Sequence, residues 1–277
     1  MRCFAVISLT PPDDFLRDVG VSLDQFLAIR DQVVALIKAE QTRWPMKRRG
    51  KHVSQLTVED KLLLTLTYLR HYPTFQQLGA QFEISESYAY KIYDRYRRYL
   101  VTLLRLPGHK ALLASGLQAA LLDVTEQPIE RPTHRQRAYY SGKKKRHTIK
   151  AQLIVGLFSL HILSVVCGLG RTHDFTLFKQ TRMSFAPHIE VYADSGYQGM
   201  TGVHANSIIP VKKPKGRELT SEERAHNRAL TKVRIAIEHV NRRCKIFRIV
   251  KDTYRGKHKH IGLTWNVIAG LVNLRYA

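Results

Sequence analysis

Acid is the scarce charge in this 277-residue chain, where 22 Asp and Glu stand against 45 Lys and Arg and leave a formal net charge of +23. The deficit is uneven. Residues 1–50 carry 8 basic and 6 acidic side chains and residues 51–118 carry 9 and 5, whereas residues 119–277 carry 28 and 11, an excess of 17. Charge of that density concentrates polyanions and releases counterions from a phosphate backbone, so nucleic acid is the natural partner, although a ribosomal or architectural protein would carry the same signature. Cysteine is nearly absent. Cys3, Cys167 and Cys244 are far apart with no CxxC pair, which excludes a zinc ribbon or disulfide framework and fits a reducing compartment. No apolar run approaches the roughly 20 residues that span a bilayer. The opening "MRCFAVISL" is followed by "TPPDD" without a small-residue cleavage pattern, so a signal peptide is not expected. These absences predict a cytoplasmic, nucleoid-associated protein with no membrane partner. A hydrophobic content of 44% supplies a substantial core.

What is present divides the chain. Residues 22–40 place Phe26, Ile29, Val33, Leu36 and Ile37 at helical spacing behind Ser22 as N-cap. After the basic "MKRRGKH", helices are predicted over 56–72, 74–83 and 85–100, broken at Pro73 and before Ser85. The arrangement reads as a helix-turn-helix, with Leu78, Ala80 and Phe82 packing its first helix, Ile84 in the turn and Ser85 capping the second. Glu86, Ser87, Tyr88 and Lys91 would then stand on the exposed start of that second helix; an ordinary three-helix bundle is the alternative. "LPGHKALLASG" (106–116) is Pro- and Gly-bearing and reads as a linker. The expected domains are an N-terminal helical region (1–50), a helix-turn-helix region (51–105), a linker (106–118) and a catalytic domain (119–277).

In that last part an apolar run ends at Asp123, "RHTIKAQLIVG" (146–156) alternates, and "HILSVVCGLG" (161–170) is a third β-rich run. A helix capped by Asp174 (174–182), a fourth strand (189–197), a brief fifth (207–211) and helix over 220–250 follow, with a final apolar helix at 263–274 packing on the domain. The order β-β-β-α-β-β-α predicts an α/β, ribonuclease-H-like mixed sheet flanked by helices. Asp123 would then end the first strand, Asp194 would end the neighbouring fourth, and Glu238 would stand on a helix crossing near both. Three carboxylates could hold two Mg²⁺ ions roughly 3.5–4 Å apart for an in-line phosphoryl transfer. Bland roles remain open: a turn cap for Asp123, support of "DSGYQG" for Asp194, and a local pair with Arg234 or Arg242 for Glu238. Glu126, Glu130 and Asp174 compete for the same positions. On a wheel of about 100° per residue, Val233, Ile237, Val240, Cys244 and Phe247 form an apolar stripe, with Arg234, Glu238 and Lys245 within about 40° of one another along its flank.

The motifs "DVTEQPIERP" (123–132), "YYSGKKKRHTIKAQLIV" (139–155), "HD" (173–174), "DSGYQG" (194–199), "PVKKPKG" (210–216) and "LTSEERAHNRALTKVRIAIEHVNRRCK" (219–245) together resemble a DDE transposase of the insertion-sequence five branch, within the insertion-sequence four superfamily. The resemblance implies Asp123, Asp194 and Glu238 as the acidic triad, Mg²⁺ as cofactor with Mn²⁺ as a substitute, and cutting and joining of DNA at the ends of a mobile element. It also implies a homodimer or larger synaptic complex holding transposon ends and target DNA. The superfamily's Tyr, Arg, Glu, Lys signature is met at Arg234, Glu238 and Lys245, but Thr231 stands at the tyrosine position. The interval from Asp194 to Glu238 is too short for the β-rich insertion of some relatives.

The basic segments are candidates for holding DNA. Lys143, Lys144, Lys145 and Arg146 join two strands, Lys212 and Lys213 follow Asp194, and Arg234, Arg242 and Lys245 share the helix of Glu238. Point charges of this kind suit a backbone held without reading sequence, and solvated loops are the plain alternative. "KHKH" (257–260) is read as solvated, and His147 and His173 as lining the site, with a capping or core role beside Asp174 as the alternative for His173. Two other functions fit the same residues, a domesticated DNA-binding protein that no longer cuts and a structure-selective nuclease.

Overall fold

Thr57 and Thr74 each open a helix by exchanging hydrogen bonds with the residue three positions on, and these local signals organise the N-terminal part of the computed structural model. The structure describes residues 2–43 and 55–277; the basic "MKRRGKH" lies outside the described residues. The chain divides into two units. The first gathers Met1–Arg105 with Ile246–Ile249 and Gly270–Ala277, and the second Leu106–Lys245 with Val250–Ala269.

The first unit is helical: α1 (Phe4–Ile7), α2 (Pro12–Val19), α3 (Leu23–Arg43), α4 (Val58–His71), α5 (Phe75–Phe82) and α6 (Glu86–Leu103). Ser22 accepts from Gln25 N at 3.2 Å, and α3 runs to Arg43, beyond the expected end at residue 40. Ser85 caps α6, accepting from Tyr88 N at 3.2 Å. Leu78 and Phe82 are buried, four residues apart on one face of α5. Ala80 is exposed, contrary to expectation, because two residues on from Leu78 turns it to the far side of the helix. The small residue that the turn needs is Gly79, where a Cβ would lie 2.7 Å from the Ile84 carbonyl oxygen. Tyr68 stacks on Phe75 and tilts against Tyr93, both with centroids 4.4 Å away, which ties α4 to α5 and α6. The C-terminal residues join this unit through Gln25 Nε2, which donates to Leu274 O at 2.7 Å, and Arg275 Nη1, which donates to Gly20 O at 2.8 Å.

The second unit begins with α7 (His109–Leu112) and is built on a six-stranded mixed sheet. Its strands are β1 (Ala119–Pro128), β2 (Tyr140–Ser141, after α8, Gln136–Tyr139), β3 (Arg146–Gly156), β4 (Ile162–Leu169), β5 (Glu190–Ala193) and β6 (Ser207–Ile208). The order is β2-β3-β1-β5-β6, with β4 also on β3; β1, β3 and β4 pair antiparallel, while β1, β5 and β6 pair parallel. Helix α9 (Asp174–Thr181) precedes β5, and α10 (Ser221–Lys245), α11 (Arg248–Lys251) and α12 (Ile261–Arg275) close the chain.

Alternation along β1 decides what each face meets. Ala120 and Leu122 enter a core with Phe178, Val191, Ala193 and Tyr197. The opposite face carries Asp123 toward Asn241 of α10 and Gln127 toward Trp265 of α12, whose Nε1 donates to Gln127 Oε1 at 2.8 Å.

Several expected bounds change. β1 continues to Pro128, so Asp123 is inside it, because its antiparallel partner β3 keeps pairing as far as Pro128↔Thr148. β5 stops at Ala193, and the fifth strand shrinks to Ser207–Ile208. His173, not Asp174, holds the N-cap position of α9; Asp174 is its first residue, with its carboxylate engaged elsewhere. The helix expected over 220–250 breaks after Lys245, and residues 246–249 belong with the first unit, as do residues 270–277 from the end of the last helix.

Candidate active site

Parallel pairing of β1 with β5 ends at Leu122↔Ala193, so the next residue of each strand, Asp123 and Asp194, come side by side where the ladder stops. Asp194 then leads into a tight turn, and its Oδ1 accepts from Gly196 N at 2.8 Å. Asp123 is largely enclosed by α10: Asn241 Nδ2 donates to its Oδ2 at 2.7 Å, and Arg234 Nη2 lies 3.6 Å from its Oδ1. Burial pushes the Asp123 carboxyl up to about 6; Arg234 opposes the rise and the like charge of Asp194 adds to it.

A third aspartate closes the other side. Asp174 Oδ1 accepts from Lys150 Nζ at 2.6 Å, and a Cβ placed on Gly196 would lie 2.8 Å from Asp174 Oδ2 and 2.9 Å from Asp194 Oδ1. A side chain at this position would displace one or both carboxylates. Beneath them Tyr197 is fully buried, its hydroxyl donating to Gln152 Oε1 at 3.2 Å. Burial raises the Tyr197 hydroxyl well above its ordinary range, and the charges of Asp174, Asp123 and Asp194 act in the same direction.

Glu238 stands on α10 between Arg234 and Asn241, one helical turn from each, and is exposed. It makes neither of the local pairs considered for it, with Arg234 or with Arg242, among the described residues. The structure thus brings Asp123 and Asp194 together and leaves Glu238 apart; among the described residues no group of three His, Cys, Asp or Glu could hold a metal ion. Of the competing acids, Glu126 accepts from Thr148 Oγ1 at 2.8 Å and Glu130 is exposed. The donors that do converge are oxygens, the set a hard divalent cation prefers, with Asp123 and Asp194 as the residues that would hold it. His258 of "KHKH" packs its ring 5.3 Å from that of Tyr139, and His147 packs against Tyr140 at 5.7 Å.

Cations surround this end of the sheet. Lys143, Lys144, Lys145 and Arg146 are exposed on the turn from β2 into β3, with Lys145 in the left-handed region at φ 53. Lys245 is half-buried; burial lowers its pKa, Asp123 opposes that, and the like charges of Lys144 and Lys251 add to it. Arg242 and Lys212 are exposed, whereas Lys213 is paired with Glu218. In the first unit Ser87 and Lys91 are exposed on α6, and Tyr88 is half-buried. Tyr88 lines a cavity of about 380 Å³ with Lys61, Lys91 and Arg95. Tyr90, 45% exposed and edge-on to Phe75 with ring centroids 5.3 Å apart, was not singled out from the sequence. Asn241 was missed too, although at about 100° per residue it lies about 20° from Arg234, on the same flank of the helix as Glu238 and Lys245.

These features describe a two-part DNA enzyme, and the family comparisons agree. The model of the DDE superfamily endonucleases matches residues 122–273, and that of the helix-turn-helix of DDE superfamily endonucleases matches residues 54–106. The chain belongs to the DDE superfamily of transposases and their endonucleases, which implies use of a divalent metal ion. It is 39% identical over 267 residues, 95% of this chain and 94% of the relative, to a probable transposase for insertion sequence element IS702 of Microchaete diplosiphon. It is also 28% identical over 250 residues, 89% of each chain, to a putative transposase for insertion sequence element IS112 of Streptomyces albus G. No helix among the described residues is long and apolar enough to cross a membrane.

Proposed function

We propose that this protein binds the terminal inverted repeats of its own insertion sequence through the helix-turn-helix, cuts a phosphodiester at each end and joins the freed 3′-hydroxyl to target DNA. The observation that carries this reading is the adjacency of Asp123 and Asp194 at the end of the β1–β5 ladder, with Arg234 and Asn241 of α10 against Asp123. Asp123 and Asp194 would hold Mg²⁺, and Glu238, exposed on α10 one turn from Arg234 and Asn241, would complete the site as the third acid. Bound there, Mg²⁺ supplies the positive charge that activates the attacking oxygen and stabilises the leaving one.

The chain's own residues position the DNA. Lys143, Lys144, Lys145, Arg146, Lys212, Arg242 and Lys245 hold phosphates, as exposed or half-buried cations around the carboxylates. In the first step a water oxygen bonds to phosphorus and the 3′-oxygen leaves as a hydroxyl. In the second that hydroxyl attacks a target phosphorus and displaces the target's own 3′-oxygen. Two ends must be held together for joining, so a homodimer or larger synaptic complex follows from this function. Ser87, Tyr88 and Lys91, at the start of α6, contact the end sequence.

The test is incubation of a duplex carrying the element's end with Mg²⁺, comparing wild type with Asp194→Ala. Wild type should release 3′-hydroxyl ends, while the variant binds the duplex and leaves it whole. Equal cleavage by both would overturn the catalytic assignment, and tight binding without cleavage by either would favour a domesticated DNA-binding protein.

A further inference from the structure

Asn241 is 8% exposed and stands on α10 among the buried Ile237, Val240 and Cys244. Its Nδ2 donates to Asp123 Oδ2 at 2.7 Å, while its own Oδ1 is buried with no partner among the described residues. A buried carbonyl oxygen without a donor is unfavourable, and leucine, of the same branched shape, would avoid that cost at a position with apolar neighbours. What leucine cannot do is donate to Asp123. The torsion that turns an aspartate carboxylate is broad, so an oxygen left free would swing. Arg234 does not fix it, since its Nη2 is 3.6 Å from the other oxygen, beyond a normal hydrogen bond. The backbone N–H of Val124 also bonds this carboxylate, and the side-chain hydrogen bond that orients it is the amide's.

The chemistry of the donor matters as much as its distance. An ammonium or guanidinium at 2.7 Å would orient the carboxylate and also neutralise much of its charge. An amide N–H orients it and leaves the charge for a cation. We infer that Asn241 is a positioning residue that pins Asp123 in one orientation, with its charge intact, to receive the divalent ion. This rests on the assignment of Asp123 as a metal-holding acid, and it adds to the acidic triad a neutral residue one turn beyond Glu238.

The experiment uses the full chain and Mn²⁺ alone as probe, titrated calorimetrically without DNA, followed by cleavage of the end duplex over a range of Mn²⁺. Asn241→Leu and Asn241→Ala are compared with wild type and with Asp123→Asn; the alanine variant serves if leucine perturbs packing, and melting temperatures check the fold. Both Asn241 variants should bind the end duplex as wild type does, weaken Mn²⁺ binding by about 10- to 100-fold, and shift half-maximal cleavage to higher Mn²⁺ by a similar factor. Excess Mn²⁺ should then restore much of their rate but none of that of Asp123→Asn. Folded Asn241 variants with wild-type Mn²⁺ binding, alongside an Asp123→Asn protein that has lost it, would overturn the role of Asn241 alone. Wild-type binding and cleavage by Asp123→Asn would instead remove the assignment on which the role depends.

Discussion

Replacing Asp123 with asparagine should stabilise the metal-free protein, and the gain should grow with pH. In the folded protein the Asp123 carboxyl titrates at about 6, raised from the ordinary 3.8 first by burial and then by Asp194. Between those values the folded state binds a proton that the unfolded chain has released. The stability tied to this group is therefore complete below 3.8 and is lost as pH climbs through about 6. At about 1.4 kcal/mol per pH unit, the loss reaches about 3 kcal/mol by about pH 8, with roughly half already present near pH 5. Asparagine has no charge to bury and keeps an oxygen for Asn241. Urea unfolding with a chelator present, run on both proteins from about pH 5 to about pH 8, isolates this group, because the other titrations are common to the two proteins. The variant should lead by about 1.5 kcal/mol at the lower pH and about 3 kcal/mol at the upper. A difference that stays constant across the range, or a variant less stable near pH 8, would refute the view that Asp123 is held ionised against its burial.

Three further outcomes follow from the geometry. Gly196→Ala places a Cβ 2.8 Å from Asp174 Oδ2 and 2.9 Å from Asp194 Oδ1, so cleavage should fall at least tenfold, on the order of 1–3 kcal/mol of overpacking, with end binding retained in a gel-shift assay. Gly79→Ala drives a Cβ to 2.7 Å from the Ile84 carbonyl, where backbone rather than a side chain must yield. Thermal melting should show a loss of about 1–3 kcal/mol, accompanied by weaker end binding. Replacing Lys143, Lys144 and Lys145 together by alanine should weaken binding to DNA of any sequence and flatten its salt dependence by roughly 0.9 for each phosphate no longer neutralised, measured by fluorescence anisotropy at several salt concentrations.

Local chemistry accounts for what could be read directly. Ser22 and Ser85 cap the helices they were expected to cap, because a cap is settled within four residues. Leu78 and Phe82 are buried as their spacing implies, but Gly79 displaces Ala80 since the turn's backbone, not helical periodicity, decides which side needs the smaller residue. The strand positions around the acids were legible as order rather than extent. β1 outruns Asp123 because β3 offers it partners to Pro128, while β5 offers none beyond Ala193. Asp194 does support its turn, as its plain reading proposed, and stands beside Asp123 as well.

By itself the sequence determined the basic character of the chain, its helical start, the sequence of strands and helices, and the pool of acids from which a site could be drawn, since each is written in residue type and short-range spacing. Tertiary structure alone decided the rest. Strand register set Asp123 beside Asp194, and the closing of α10 over β1 gave Asp123 its burial and its raised pKa. The same packing chose Asn241 as its partner and left Glu238 exposed. Such facts depend on distances between segments 71 residues apart for Asp123 and Asp194 and 118 for Asp123 and Asn241, where the entropy of bringing the chain together is offset only by the packing of the whole unit.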